Sequence, residues 1–464
     1  MKKFVSIIIA LVLSLTALTN ARATEITGDM SNVWWANINS NGKVSAASWE
    51  LWNYVNQKYD NYVAFNFDGK DDGWTEPVVI PSDYFFDIEV LTSGKIVFAY
   101  LDNGVAYLQT TTDGNNFSDP TELSLGSGMR IESDYALQIE SLGKIVTLVA
   151  EVRNDESIQI FSWTSNKNLT AWTKKVVTND VFPAEIFSEC TSYSYPCYHA
   201  VRNLRLGQNS KGQQTLVARV FVSDEDTNPA TDHWANFAFQ RKTPTSNWKA
   251  PQMLDSFGPE EVDRHAYQVS QVVVTPKGKA AWAYTKGFND DPDAVQIFVS
   301  SGFGKAFKLK DHGTLSSVYG TGTPTLVNVG EKFYTAFNKN SSEDDLAQPD
   351  VYFGEVGKLN KAKKVGTAGT HRMFAFTILN GKFTMVSESE TNGKYIIQLR
   401  KLSKNKWSQP DEILAHPNGY GVSPWDSGCD YSPKLMICSA PVLPQPFDPN
   451  QWPAPVGLNV EIVK

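Results

Sequence analysis

The chain has 464 residues, a formal net charge of −8, 20% charged residues and 12% aromatic residues. An acidic balance with no basic run argues against nucleic acid and against anionic membrane surfaces as partners. The aromatic content, with no helix-period segment of useful length, argues for an all-β protein with a large core.

Residues 1–23 have the pattern of a secretory signal peptide: a basic start (Lys2-Lys3), an apolar stretch (Phe4 to Leu18) and a small-residue cleavage site, Ala21-Arg22-Ala23. The apolar stretch is too short and wrongly flanked for a membrane span, and no later stretch is suited to one. The Met-Lys-Lys start suggests bacterial export, to the periplasm or the outside. Residues 24–464 read as one domain. Loss of Lys2, Lys3 and Arg22 with the leader takes the net charge from −8 to −11.

From there a unit repeats. In residues 82–120 an apolar run (Tyr84 to Val90) reaches a turn at Gly94-Lys95, a second run (Ile96 to Tyr100) ends at Asp102-Asn103-Gly104, and a third (Val105 to Gln109) leads through Asp113-Gly114 to Phe117. Short runs separated by turn residues read as an antiparallel meander. The first turn recurs at Gly42, Gly94, Gly143, Gly212, Gly278, Gly330 and Gly381, and in a glycine-free form at Pro433-Lys434. Third-strand candidates follow each one, at 62–67, 105–109, 158–163, 234–239, 295–299, 351–356, 395–399 and 458–463. A fourth element opens on an aromatic, as in Trp74-Thr-Glu-Pro77, Phe117-Ser-Asp-Pro120, Trp248-Lys-Ala-Pro251 and Trp407-Ser-Gln-Pro410, with Trp172 and Phe307 in the same place. Four strands per period of about 50 residues are the signature of a β-propeller blade, and the aromatic suits the wedge between neighbouring sheets.

Both counts give eight four-stranded blades. The eighth unit lacks a fourth strand, so residues 24–29 are expected to pair with the strand at 458–463 and close the ring. Seven blades with a C-terminal appendage is the alternative.

The four cysteines form two close pairs, Cys190/Cys197 and Cys429/Cys438, expected as disulfides in an exported chain. If Pro433-Lys434 is a two-residue turn, Cys429 and Cys438 face each other as a non-hydrogen-bonded pair. No metal site is expected from the cysteine spacing. Asp68, Asp71 and Asp72 form the best calcium candidate, but their spacing is not that of an EF-hand, and a solvated turn explains them. Acidic loops at 224–232, 289–293 and 341–350 join second to third strands and are candidate binding loops or solvated decoration.

Residues just before each first strand should ring one mouth of the central channel. They include Tyr84, Asp134, Tyr135, His199, Arg202, Arg264, His265, Tyr267, His371, Arg372 and Trp425. Three of six histidines fall here. Histidine and tyrosine can move protons, arginine presents a fork matched to carboxylates, and aromatic faces stack on sugars. The competing reading is that they are polar caps on strand ends.

The Gly-Lys turn, the paired strands and the aromatic-Ser/Thr-x-Pro element resemble the sialidase-like (BNR or Asp-box repeat) propeller superfamily. The family's S-x-D-x-G-x-x-W box is closest to Thr111-Thr-Asp113-Gly-Asn-Asn-Phe117, which is one residue short. Ser165 to Trp172 and Ser300 to Phe307 lack the aspartate. The early F/Y-R-I-P motif of sialidases is missing; Met129-Arg130-Ile131-Glu132 is not one. The resemblance implies the propeller fold and a glycan ligand rather than sialidase activity. Three functions follow: a non-catalytic propeller binding an anionic glycan or a protein, a sialidase-like hydrolase, or a propeller polysaccharide lyase using His199, His265, Tyr267, His371 and Arg372. No intact catalytic signature is present, so binding is preferred.

Overall fold

The computed structural model describes residues 24–25, 36–53, 58–70, 73–102, 105–126, 131, 137–153, 158–178, 198–223, 233–257, 270–286, 294–314, 325–339, 350–365, 373–391, 394–414, 421–422, 428–431, 436–443 and 457–463. Within them the protein is all-β, without an α-helix, and its strands form eight antiparallel sheets. We number the sheets 1 to 8 along the chain.

Sheet 2 shows the unit. Tyr84–Val90, Ile96–Asp102, Val105–Thr111 and Thr121–Glu122 pair in that order. Its second strand is buried on both faces, as the unbroken Ile-Val-Phe-Ala-Tyr-Leu sequence requires. The turn at Gly94 has φ 84°, and all seven turn glycines lie in this left-handed region, with φ from 58° to 93°. A side chain there would meet its own backbone, which is why glycine marks the period.

The same order recurs in sheet 1 (36–80), sheet 3 (137–178), sheet 4 (198–257), sheet 5 (273–314) and sheet 6 (325–364). In sheet 7, Lys394–Ser403 carries both Lys406–Trp407 and Asp411–Leu414. Sheet 8 has a different composition. Gly421–Val422 and Gly428–Tyr431 both pair with Met436–Leu443, which pairs with Gly457–Val463. Thr24 and Glu25 then pair with Val460 and Asn459. Cys429 stands opposite Cys438, with Cα atoms 4.1 Å apart, and the two are joined as a disulfide. Cys190 and Cys197 lie outside the described residues.

The core is divided into apolar seams, one between each sheet and the next. Phe65 and Ile80 of sheet 1 meet Ile88 and Phe98 of sheet 2, and Leu101 and Leu108 of sheet 2 meet Leu148 and Trp163 of sheet 3. The series runs on to sheets 7 and 8, and Ala47 and Trp49 of sheet 1 pack with Ile437, Val460 and Ile462 of sheet 8. The repeating aromatics enter these seams as expected: Trp74, Phe117, Trp172, Trp248, Phe307 and Trp407 each pack into the seam with the preceding sheet. Four-stranded meanders stacked face to face through apolar seams are the architecture of a β-propeller.

First strands touch in succession from sheet 1 to sheet 7, then Gly428–Tyr431, which also touches Ala36–Ser40 of sheet 1. The outermost strands are bulged in sheets 3, 4, 5 and 7, where one residue has no partner at Ile160/Phe161, Asn236/Phe237, Ile297/Phe298 and Ile397/Gln398. A bulge twists an open edge away from further pairing.

Candidate functional site

The glycine turns follow the C-terminal ends of the first strands, and the sequence reading puts the entrance residues before or at their N-terminal ends. Three of them fall on first strands. Tyr84 is paired with Leu101 and His199 with Val222, while Arg202 sits in the register shift between Val201 and Leu204. Asp134, Tyr135, Arg264, His265, Tyr267, His371, Arg372 and Trp425 lie outside the described residues, as do the side chains of Tyr84, His199 and Arg202. Of the calcium candidates, Asp71 and Asp72 also lie outside. Asp68 accepts the Lys70 N–H at 2.9 Å and pairs with the Lys70 ammonium at 3.3 Å, which together hold its carboxyl below the ordinary value. Among the described residues no three His, Cys, Asp or Glu side chains gather as a metal site.

Further along the same first strands, toward the glycine turns, the structure brings together a polar group that the sequence reading passed over. An innermost strand has no partner on its channel side, so every second N–H there needs another acceptor. Side chains of the preceding sheet supply it. Asn39 of sheet 1 accepts the Val90 N–H of sheet 2 at 2.7 Å. Asp87 of sheet 2 accepts the Ile139 N–H of sheet 3 at 2.8 Å, and Gln138 of sheet 3 accepts the Leu206 N–H of sheet 4 at 2.5 Å.

Two tiers result. In one, Asn39 donates to Glu89 at 3.0 Å, Ser141 donates to the same carboxylate, and Gln208 donates to the Ser141 carbonyl at 2.6 Å, linking sheets 1 to 4. In the other, Asp87 and Arg205 attract each other from sheets 2 and 4, and Gln138 reaches Gln271, two residues before sheet 5, at 3.5 Å. Burial pushes the Asp87 carboxyl up to about 6, against the pull of the Ile139 and Ile88 N–H groups and of Arg205. Burial likewise lowers the Arg205 guanidinium, opposed by Asp87. Arg205 donates to the Leu204 carbonyl at 3.0 Å, and its Nε has no hydrogen-bond partner. The corresponding strands of sheets 6 and 7, Thr325–Val329 and Met373–Leu379, are mostly apolar, so among the described residues the polar arc covers sheets 1 to 5.

The signal was present in the sequence: Asp87-Ile88-Glu89, Gln138-Ile139-Glu140 and Asn203-Leu204-Arg205 alternate polar and apolar residues within first strands. Chemically the arc can hold a proton on Asp87 at mildly acidic pH and sets an arginine charge within reach of it.

No protein-family model matches the chain, and no curated protein matches it. Solved structures do show similarity at the level of the chain trace. An acylaminoacyl peptidase from Pyrococcus horikoshii aligns with 12% identity and a TM-score of 0.40, covering 89% of this chain and 58% of that one. This chain thus spans under six-tenths of that peptidase. A GH93 α-L-arabinofuranosidase of Fusarium graminearum, solved with arabinobiose, aligns with 12% identity and a TM-score of 0.39, covering 72% of this chain and 97% of that one. The β-propeller domain of the Trilobed protease from Pyrococcus furiosus aligns with 10% identity and a TM-score of 0.39, covering 83% and 98%. None of these lends the present chain an activity.

Proposed function

We propose that residues 24–464 form an exported eight-bladed propeller that binds an anionic, uronic-acid-type glycan at the entrance of its central channel. The ring is closed by Thr24–Glu25 joining Gly457–Val463, a reading supported by that strand pairing and by the apolar seam between sheets 8 and 1. Export is supported by the signal-like leader and by the Cys429–Cys438 disulfide, which suits an oxidising compartment. The described residues contain no helix long and apolar enough to cross a membrane.

The observation that carries the ligand reading is the shared use of two strands. Tyr84–Val90 and Tyr198–Gln208 bear the mutually attracting Asp87 and Arg205, and our entrance candidates Tyr84, His199 and Arg202 belong to the N-terminal parts of the same strands. Polar chemistry thus runs along the first strands toward that mouth. Arg264, His265, Tyr267, His371, Arg372, Asp134, Tyr135 and Trp425 continue the ring in our reading. Arginine forks would hold the carboxylates and the aromatic faces would stack on the sugars.

The test is binding of the mature protein and of an R264A/R372A variant to an array of anionic and neutral glycans, with melting temperatures measured in parallel. Selective binding of anionic glycans, weakened by salt and lost in the variant at unchanged melting temperature, is expected. A wild type that binds no glycan, or a variant that unfolds early, would mean that these side chains only cap strand ends.

A further inference from the structure

The net charge of this chain conceals a local excess of lysine. Six segments of sheets 5, 6 and 7 meet the glycine-turn end or run beside it: residues 275–279, 300–310, 329–332, 355–364, 379–382 and 401–411. Together they hold fourteen lysines and three acids, Glu331, Glu355 and Asp411, with Asp311, Asp350 and Glu412 directly beside them. Twelve of the fourteen are exposed; only Lys279 and Lys401 are half-buried. Lys332 and Lys358 share Glu355, and Lys364 reaches Asp350. Lys305, Lys308, Lys310, Lys361, Lys363 and Lys382 have no acid within ion-pair distance among the described residues.

A second feature sits inside the basic area. Leu309 lies between Lys308 and Lys310 with 45% of its surface exposed, and Val329, next to the Gly330 turn, is 48% exposed. Exposed aliphatic side chains interleaved with lysines suit an interface of acidic headgroups over acyl chains, where each lysine adds to binding and the apolar residues enter the boundary. A nucleic acid or an acidic polysaccharide would use the lysines and leave Leu309 and Val329 in water. Lysines also outnumber arginines here fourteen to none, which suits diffuse attraction to a charged surface better than bidentate recognition of one group.

We infer that the glycine-turn end of sheets 5 to 7 docks on an anionic phospholipid bilayer. The inference stands apart from the glycan reading, which concerns the other end of the sheets. It is tested by sedimenting the full mature protein with phosphatidylglycerol–phosphatidylcholine vesicles and with phosphatidylcholine vesicles at rising salt. Three proteins are compared: wild type; K305Q/K308Q/K310Q/K361Q/K363Q/K382Q; and a control, K43Q/K144Q/K211Q, altered at the turns of sheets 1, 3 and 4. Wild type and control should bind only the anionic vesicles and lose binding as salt screens the charges. The six-lysine variant should bind about a hundredfold more weakly or worse, at an unchanged melting temperature. Equal binding to both vesicle types, no binding to anionic vesicles at low salt, or full binding by the six-lysine variant would overturn the inference. So would retention on immobilised heparin or duplex DNA without vesicle binding.

Discussion

Asp87 and Arg205 attract each other from innermost strands two sheets apart, while the same aspartate holds the Ile139 N–H of the sheet between them at 2.8 Å. The carboxylate therefore does two things at once: it caps an open strand edge and carries a charge that burial opposes.

The first prediction follows from that opposition. The Asp87 carboxyl is raised from 3.8 to about 6 in the folded protein, so folding favours its protonated form. Its contribution to stability is fully present below about pH 4 and is lost as pH rises through about 6, up to about 3 kcal/mol. Asp87→Asn keeps an acceptor for Ile139 and removes the charge. Relative to wild type, its melting temperature should rise by several degrees between pH 4 and pH 7. A difference that stays flat or runs the other way would show that Arg205 outweighs burial.

The second prediction concerns sheet 8. Cys429 and Cys438 tie the strand touching sheet 1 to its neighbour, in the sheet that also receives Thr24–Glu25. The double change to serine should cost about 2 to 3 kcal/mol for a loop of this size. Hydrogen exchange should show the loss first in Gly428–Tyr431 and Met436–Leu443. Uniform loosening of all sheets would contradict this placement.

Two glycines separate two kinds of constraint. At Gly330, φ is 58° and nothing lies within 4 Å of where a Cβ would be, so Gly330→Ala carries only backbone strain of about 1 to 2 kcal/mol. At Gly207 the Cβ would lie 2.1 Å from the Val272 carbonyl oxygen, so Gly207→Ala must push sheet 4 away from sheet 5. Urea unfolding should rank Gly207→Ala as the more damaging change, and Gly330→Asn should recover most of the loss at Gly330 because asparagine tolerates that φ.

The repeat was legible because most periods carry backbone signals that no tertiary context alters: a glycine at positive φ in seven turns, then in six sheets a ring that needs a seam. The third strands and the Cys429–Cys438 register could be counted from turn positions for the same reason. The polar arc was harder to read. Asp87, Gln138 and Arg205 are separated by 51 and 67 residues, and only the stacking of first strands brings them together. Histidines and arginines stand out in the sequence as groups that carry chemistry, whereas the open strand edges call for acceptors: Asn39, Asp87 and Gln138. Net charge is coarse in a similar way, since a sum of −8 says nothing about where along the sheets the lysines lie.

Arg241 carries the last prediction. It ends the third strand of sheet 4, is fully buried, and spans the seam to sheet 3. Its Nε donates to Gln214 at 2.6 Å, and its two Nη atoms reach Ser162 at 3.3 Å, Thr164 at 3.2 Å and Thr147 at 3.4 Å. The guanidinium lies 4.4 Å from the Trp248 ring centroid, and Trp248 itself donates to Ser162 at 2.9 Å. All four hydrogen-bond partners are neutral, and burial pushes the guanidinium down to about 9. What offsets that burial is the planar fork, which reaches four acceptors and stacks on a ring. Arg241→Ala should therefore cost about 3 to 5 kcal/mol, through the cavity and the orphaned acceptors together. Arg241→Lys keeps the charge but offers one compact donor group, so it should recover less than half of that loss in urea unfolding. Full recovery by lysine would mean that the charge over Trp248, rather than the fork, joins sheets 3 and 4.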